Sequence, residues 1–345
     1  MEVLVTGATG FLGRHVVRSL LTRGHTVRAL VRSDAPGLVR DGAKCIRGDV
    51  LEPGTLVQAV DGVGAVLHLA GQVLHGGSPT GVYDLHIRGT RHVLDAAARA
   101  RGGPRVVHVS TSGTTAVSTE PTVHREDAGW ATEVVRYWPY YLSKIFAEKV
   151  ARERKDVPVV IVSPSLLLGP DDEGLSSSKA IVRFLRREVA AVPAGGLSLV
   201  DVRDAAEAVA AAATQGRPGE AYLVGGANLT VEAFFVLLAR VSGVPAPTFK
   251  VGTGATELTA SVLSALEGVT GADADESVAY AMAGHYWYVD AAKAQAELGF
   301  SPRPAEHTLR DAVAWLRDRS ALPKPGGLLG SLVGGVRRAV GTRSS

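Results

Sequence analysis

The sequence predicts an α/β fold: a doubly wound parallel sheet with a smaller C-terminal substrate-binding region. Three observations carry this. Short apolar, β-branched runs alternate with helical patterns over residues 1–165, a glycine-rich loop separates the first run from the first helix, and the rhythm changes after Pro164. Strands alternating with helices imply parallel βαβ units, whose right-handed crossovers place helices on both faces of the sheet.

Val3-Leu4-Val5 is the first strand, ending in Thr6-Gly7, and Phe11 to Leu21 has helical spacing. His25 to Val31 reads as the second strand and Cys45 to Arg47 as a short third. Pro53 suits a first helical turn and opens a helix reaching Val60. Gly64 to His68 is the fourth strand. A long helix spans Val82 to Ala100 and is closed by Gly102-Gly103-Pro104. Arg105 to Val109 and Val157 to Val162 are the fifth and sixth strands, with a helix from Tyr140 to Arg154 between them. Runs this apolar suit a sheet buried on both sides.

Beyond Pro164, helical stretches at Lys179–Glu188, Arg203–Thr214 and Val231–Ser242 are separated by Pro/Gly breaks. Ala221-Tyr222-Leu223-Val224 looks like one more strand. The Ala-rich stretch from Thr253 to Gly284 reads as helical, and a last helix runs from His307 to Arg319. The expected organisation is a dinucleotide-binding domain over 1–165, with 200–226 returning to it. Residues 166–199 and 227–322 form the substrate region, and 323–345 a flexible Gly-rich tail.

Composition narrows the class. Of 345 residues, 46% are hydrophobic and 21% charged, an ordinary globular balance. The net charge of +3 is spread along the chain, which argues against a nucleic-acid partner. A single cysteine, Cys45, excludes an internal disulfide and reads as core packing in a reducing compartment. No run approaches the ~18 apolar residues of a transmembrane segment. The chain enters its strand-and-glycine pattern at once, without a signal peptide. A cytoplasmic protein is expected.

The strongest local signal is Thr6-Gly7-Ala8-Thr9-Gly10-Phe11-Leu12-Gly13, which follows a strand and opens a helix. A pyrophosphate needs free backbone N–H groups at a helix N-terminus, where the dipole favours negative charge. Gly7 permits the turn, Gly10 lets backbone approach phosphate, and Gly13 allows close helix–strand packing, as in a Rossmann unit. An acidic residue ending the second strand would bind ribose hydroxyls, whereas an arginine suits a 2′-phosphate. Arg32 and Ser33 stand there, favouring NADP, with NAD still possible. The plainer alternative is that Arg32 is a solvated strand-end charge.

Tyr140-Tyr141-Leu142-Ser143-Lys144 puts a tyrosine and a lysine on one helix face, four residues apart. A phenol near pKa 10 is a poor acid or base at neutral pH. A neighbouring ammonium stabilises the phenolate and is expected to lower that value, making proton exchange with a carbonyl or alcohol oxygen feasible. Neither Tyr141 nor Tyr137 has a lysine at this spacing.

With these motifs the chain resembles the extended short-chain dehydrogenases/reductases, a group holding nucleotide-sugar epimerases, dehydratases and dihydroflavonol-reductase-like enzymes. The likeness reaches about residue 320. It implies that Asp49 and Val50 of Gly48-Asp49-Val50 lie at the adenine, and that Leu69, Ala70 and Gly71 pass beside the cofactor. It implies a catalytic hydroxyl after the fifth strand, best matched by Thr111 and next by Ser112. Lys144 would also hold the nicotinamide ribose, next to Tyr140. Backbone around Pro164 and Leu167 would meet the nicotinamide amide. Two positions depart from the pattern. His86 stands where the family usually has an asparagine supporting the lysine through water, and Ser163 where arginine is common. A helix histidine is more often structural than a catalytic base.

The family's dehydratases place an acidic pair after the threonine, and Ser112-Gly113 cannot do that work. The resulting expectation is NADPH-dependent reduction of a ketone or aldehyde with a Thr-Tyr-Lys set and no metal. An NAD-dependent nucleotide-sugar epimerase is the alternative, and a non-catalytic NADP-binding sensor a second. The expected partner is a small carbonyl, alcohol or nucleotide-sugar. The family also implies a homodimer through the helices around 82–100 and 138–154.

Overall fold

The computed structural model describes residues 1–72, 79–189, 191–248, 250–251 and 282–319. Five strands lead the sheet: β1 (Glu2–Thr6), β2 (Thr26–Val31), β3 (Lys44–Arg47), β4 (Ala65–His68) and β5 (Arg105–Val109). Strands Val159–Pro164 and Ala221–Val224 extend it beyond β5, and every pairing is parallel. β1 lies between β2 and β4, so the winding reverses there and a crevice opens at the carboxyl ends of these strands.

Successive strand side chains point to opposite faces, and both faces are apolar. Val3, Val5, Leu67, Val107 and Val160 bury one face together with α1 (Phe11–Thr22) and the helix Val202–Ala212. Leu4, Val66, Val106 and Ile161 bury the other with the helices Pro53–Val60, Gly89–Arg99 and Pro139–Glu153. Each such side chain taken from water stabilises the fold by about 1.5–3 kcal/mol. Cys45 on β3 is half-buried against the first of these cores, and burial pushes its thiol up.

The long helix expected from Val82 to Ala100 is not uniform. Pro79–Tyr83 and Gly89–Arg99 are α-helical, and between them Asp84–Arg88 makes one π-helical turn. There the N–H of Gly89 reaches the carbonyl of Asp84, five residues back. Hydrophobic periodicity could not show this, because one wide turn hardly disturbs the pattern on either side.

A second, three-stranded sheet joins Leu166–Leu168, Gly196–Asp201 and Ala227–Thr230. It packs with Phe184, Phe234, Leu238, Leu309 and Leu316 into a separate core. None of its strands was expected, being three to six residues long and bordered by glycine. The expected helix over Thr253–Gly284 lies outside the described residues except for its last three positions, and the tail 323–345 lies wholly outside. Among the described residues, no helix is long and apolar enough to cross a membrane.

Candidate active site

The glycine loop runs from β1 into α1 beneath the end of β4. Gly7 has a φ of +69°, and a β-carbon there would lie 2.7 Å from the Ala70 nitrogen. At Gly13 the β-carbon would lie 2.1 Å from the Gly7 carbonyl oxygen. Side chains are thus excluded where helix, loop and β4 strip meet. Gly10 caps α1 with no side-chain acceptor, leaving the first-turn N–H groups of Phe11, Leu12 and Gly13 for a ligand. Thr9 is exposed, and its carbonyl accepts from Arg14 Nε at 3.0 Å. A bare helix N-terminus in a cradle that any β-carbon would fill fits a dinucleotide pyrophosphate.

Around the cradle, Thr6 Oγ1 accepts the Ala70 N–H at 3.2 Å and contacts His68 Nδ1 at 2.8 Å. His68 Nε2 meets Thr90 Oγ1 at 3.1 Å, and burial drives this histidine down to about 3, so the ring is neutral. Arg32 and Ser33 are exposed at the end of β2, and neither side chain has a partner among the described residues. Asp49 Oδ1 accepts the Leu51 N–H at 2.9 Å, so part of that carboxylate is committed to a local turn. Val50 is buried beside it. Leu69 and Ala70 are half-buried and Gly71 exposed, directly after β4.

Pro139 starts the helix Pro139–Glu153 at its first position, where a missing N–H costs nothing. Tyr140 and Lys144 occupy its first turns. Lys144 is 6% exposed, and its ammonium donates to the Val109 carbonyl at 3.1 Å. A β-carbon on Gly71 would come within 3.4 Å of Lys144 Nζ, so the strip after β4 lies against the ammonium. Thr111, half-buried just past β5, accepts the Gly113 N–H at 3.4 Å. Ser112 is buried at the head of the one-turn helix Ser112–Thr114. Tyr140, Lys144, Thr111 and Ser112 therefore gather at the carboxyl edge of β4 and β5. Pro164 is buried at the end of its strand, and Leu167 is half-buried in the next.

Burial dominates the electrostatics. It pushes the Tyr140 phenol up to about 12 and the Lys144 ammonium down to about 8. The expected lowering of the phenol is reversed, because burial of Tyr140 disfavours the phenolate.

Two features of the site were not anticipated. Glu148, 1% exposed, accepts from Ser110 Oγ at 2.6 Å and Thr114 Oγ1 at 3.1 Å, and pairs with Arg152 at 2.8 Å. It pins the lysine-bearing helix to the end of β5. Its place four residues beyond Lys144 was the available signal. Trp287 also packs on Tyr141, with ring centroids 5.0 Å apart, and Tyr141 in turn on Tyr140 at 5.0 Å. That contact joins segments 146 residues apart and leaves no local trace.

Residues 3–225, more than half of the chain, match the NAD dependent epimerase/dehydratase family model. A candidate dihydroflavonol 4-reductase of Synechocystis sp. (strain ATCC 27184 / PCC 6803 / Kazusa) is 32% identical, covering 91% of this chain and 94% of that one. The crystal structure of gox2253 superposes with a TM-score of 0.82 at 30% identity, covering 93% of this chain and 99% of that one. A nucleoside-diphosphate-sugar epimerase of Pseudomonas aeruginosa, PA4631, gives 0.77 at 25% identity, covering 94% and 99%. Fold and cradle define a dinucleotide-dependent oxidoreductase with a Rossmann sheet. The chain belongs to the NAD-dependent epimerase/dehydratase family, within the extended short-chain dehydrogenases/reductases.

Proposed function

We propose that the protein is an NADPH-dependent reductase of a small ketone or aldehyde, in which Tyr140 delivers the proton. The observation that carries this is the placement of Tyr140 one helical turn from the buried Lys144 ammonium, against the Gly71 strip that continues from the glycine cradle. When bound, the dinucleotide supplies the hydride. The N–H groups of the first turn of α1 would hold its pyrophosphate, and Thr9 would line the same loop. Leu69, Ala70, Gly71, Pro164 and Leu167 would border its nicotinamide half, and Asp49 and Val50 its adenine.

Thr111 Oγ1, with Ser112 Oγ as the second choice, would donate to the substrate oxygen and hold it near the Tyr140 hydroxyl. Tyr140 would release its proton to that oxygen as negative charge develops there. The Lys144 ammonium would stabilise the resulting phenolate, and its positive charge is what makes a phenol serve as an acid near neutral pH. Arg32 supports NADPH over NADH, since an exposed guanidinium with no partner among the described residues can fork onto a 2′-phosphate, with Ser33 adding a hydroxyl. We propose further that residues 1–165 and 200–226 form the cofactor-binding domain, and that 166–199 and 227–322 complete the substrate side.

The likeness to a solved nucleoside-diphosphate-sugar epimerase supports one second reading, a same-site epimerase that keeps its NAD bound. One experiment separates the readings. The protein is purified, its bound nucleotide identified, and NADPH and NADH oxidation followed with a panel of aliphatic and aromatic carbonyls. A reductase arrives empty or with exchangeable NADPH and oxidises it, and Tyr140→Phe abolishes turnover while NADPH still binds. Tightly retained NAD with no net oxidation supports the epimerase. Wild-type turnover that survives in Tyr140→Phe would overturn the assignment of the proton donor.

A further inference from the structure

Where the π-helical turn passes the helix Pro139–Glu153, His86 is 1% exposed and has a hydrogen bond at each nitrogen. At Nε2, 3.1 Å away, stands the backbone N–H of Gln72. A peptide N–H can only donate, so Nε2 must present a lone pair. The ring proton is therefore on Nδ1, which donates to Ser143 Oγ at 2.8 Å. The Ser143 hydroxyl passes its own hydrogen to the Tyr140 carbonyl at 2.7 Å. The direction of every bond in this chain is fixed by one peptide group.

We propose that His86 is a positioning residue: held as its Nδ1–H tautomer, it clasps the strip after β4 to the helix carrying Tyr140 and Lys144, and takes no proton during turnover. This deepens the reading of Tyr140 as proton donor and rests on it. The clasp joins three segments, the Gly71-Gln72 strip, the π turn and the Tyr140 helix. A β-carbon on Gly71 would come within 3.0 Å of His86 Nε2 and 3.4 Å of Lys144 Nζ, so the strip lies flat on both. The imidazole also stands edge-on to the Tyr140 ring, 5.7 Å between centroids at 75°. A displacement of the strip on which the nicotinamide half would lie is thus passed through His86 and Ser143 to the backbone of Tyr140.

A proton-relay role is excluded by the same geometry. A second ring proton would set Nε2–H against the Gln72 N–H, donor against donor. Lys144 and Tyr140 face the ring from the helix, and His68 lies on β4 near it. Burial, with the Lys144 charge second, holds the imidazole down to about 2.

The test combines spectroscopy of the whole protein with two variants. Histidine-selective 15N labelling reads the His86 tautomer directly, assigned by its loss in His86→Leu. The expected spectrum shows Nδ1 protonated and Nε2 pyridine-like, unchanged from pH 5 to pH 10. His86→Leu takes the acceptor from the Gln72 N–H and the donor from Ser143 Oγ, which keeps only its bond to the Tyr140 carbonyl. It is expected to weaken NADPH binding and lower kcat/KM, each by about tenfold or more, with the limbs of the pH–rate profile unmoved. His86→Gln, whose amide oxygen can take the place of Nε2, is expected to recover part of both. Titration of His86 near neutrality, an Nε2–H tautomer, a displaced limb in His86→Gln, or unchanged NADPH binding in a folded His86→Leu would each overturn the clasp. If the wild type reduces no carbonyl with either nucleotide, the reductase reading falls instead, while the tautomer and the NADPH dissociation constant still decide the clasp.

Discussion

The carbonyl oxygen of Gly7 occupies the space a β-carbon on Gly13 would need, 2.1 Å from it. α1 touches its own leading loop with no room for a methyl group. Gly13→Ala should therefore either push α1 away or distort the loop, at about 1–3 kcal/mol by the usual cost of overpacking. Gly10→Ala, with its nearest atom at 3.3 Å, should cost less. Thermal melting ranks the two, and NADPH titration should show the larger loss of affinity in Gly13→Ala. Equal effects would contradict the crowding.

If Arg32 grips a 2′-phosphate, its removal should separate the two dinucleotides. Charged hydrogen bonds contribute about 1.5–3 kcal/mol, so Arg32→Ser should raise the KM for NADPH by roughly tenfold to a hundredfold. The KM for NADH should barely move. Parallel loss for both cofactors would show that Arg32 does not contact a 2′-phosphate.

Lys144 carries a pH prediction. Burial lowers its folded-state value from 10.5 to about 8, so the ammonium is present below pH 8 and lost above it. If that charge supports the Tyr140 phenolate, kcat/KM should fall as pH rises through about 8, since kcat/KM reports the free enzyme. Stability moves the opposite way. Between about 8 and 10.5 the unfolded chain holds a proton the folded chain has released, so this group's contribution rises with pH. Lys144→Met should be inactive yet more stable at pH 7, by about 1–2 kcal/mol, with the gap closing toward pH 10. Calorimetry at both pH values checks it.

His108 is buried at 2% exposure with neither ring nitrogen bonded among the described residues, beside His68 at 5.6 Å between centroids. Burial holds His108 well below 6.5, so stability is lost as pH falls below that value and the unfolded chain takes up protons. His108→Leu should stabilise the protein by about 1 kcal/mol at pH 7, because two unpaired polar atoms disappear. It should also move the acid unfolding midpoint to lower pH. Urea melts from pH 7 to pH 4 would show it, and a destabilised variant would mean the imidazole has a partner.

Phe146 is 40% exposed on the outer side of the helix Pro139–Glu153, 6.5 Å from the Tyr83 ring. If those helices pair across a two-fold axis, the wild type should run as a dimer by light scattering and Phe146→Asp as a monomer. A monomeric wild type would remove this interface.

What the sequence made legible follows local physics. β5 at Arg105–Val109 and the helix at Val231–Ser242 sit where their apolar spacing and flanking Gly, Pro and Thr put them. The glycine cradle was legible because each glycine answers a steric demand within the same eight residues. The small sheet of Leu166–Leu168, Gly196–Asp201 and Ala227–Thr230 was not, since its strands are too short to show a period and hold together only through one another. In the site, the Tyr140–Lys144 spacing was visible from helix geometry alone. Glu148 was visible in principle by the same rule. The Gln72–His86–Ser143 chain was hidden, because a peptide N–H leaves no mark on the choice of side chains.

The single wide turn at Asp84–Arg88 also acts as a phase shifter. An α-helix advances about 100° per residue, and one surplus residue held in a wide turn rotates everything on its amino-terminal side by that amount. Pro79–Tyr83 and Gly89–Arg99 are thus out of step by one residue, each aimed at its own neighbour. Straightening the turn into α-helix with all its residues kept would swing one half away from its neighbour, whereas deleting one residue within it would leave both halves facing as they do now.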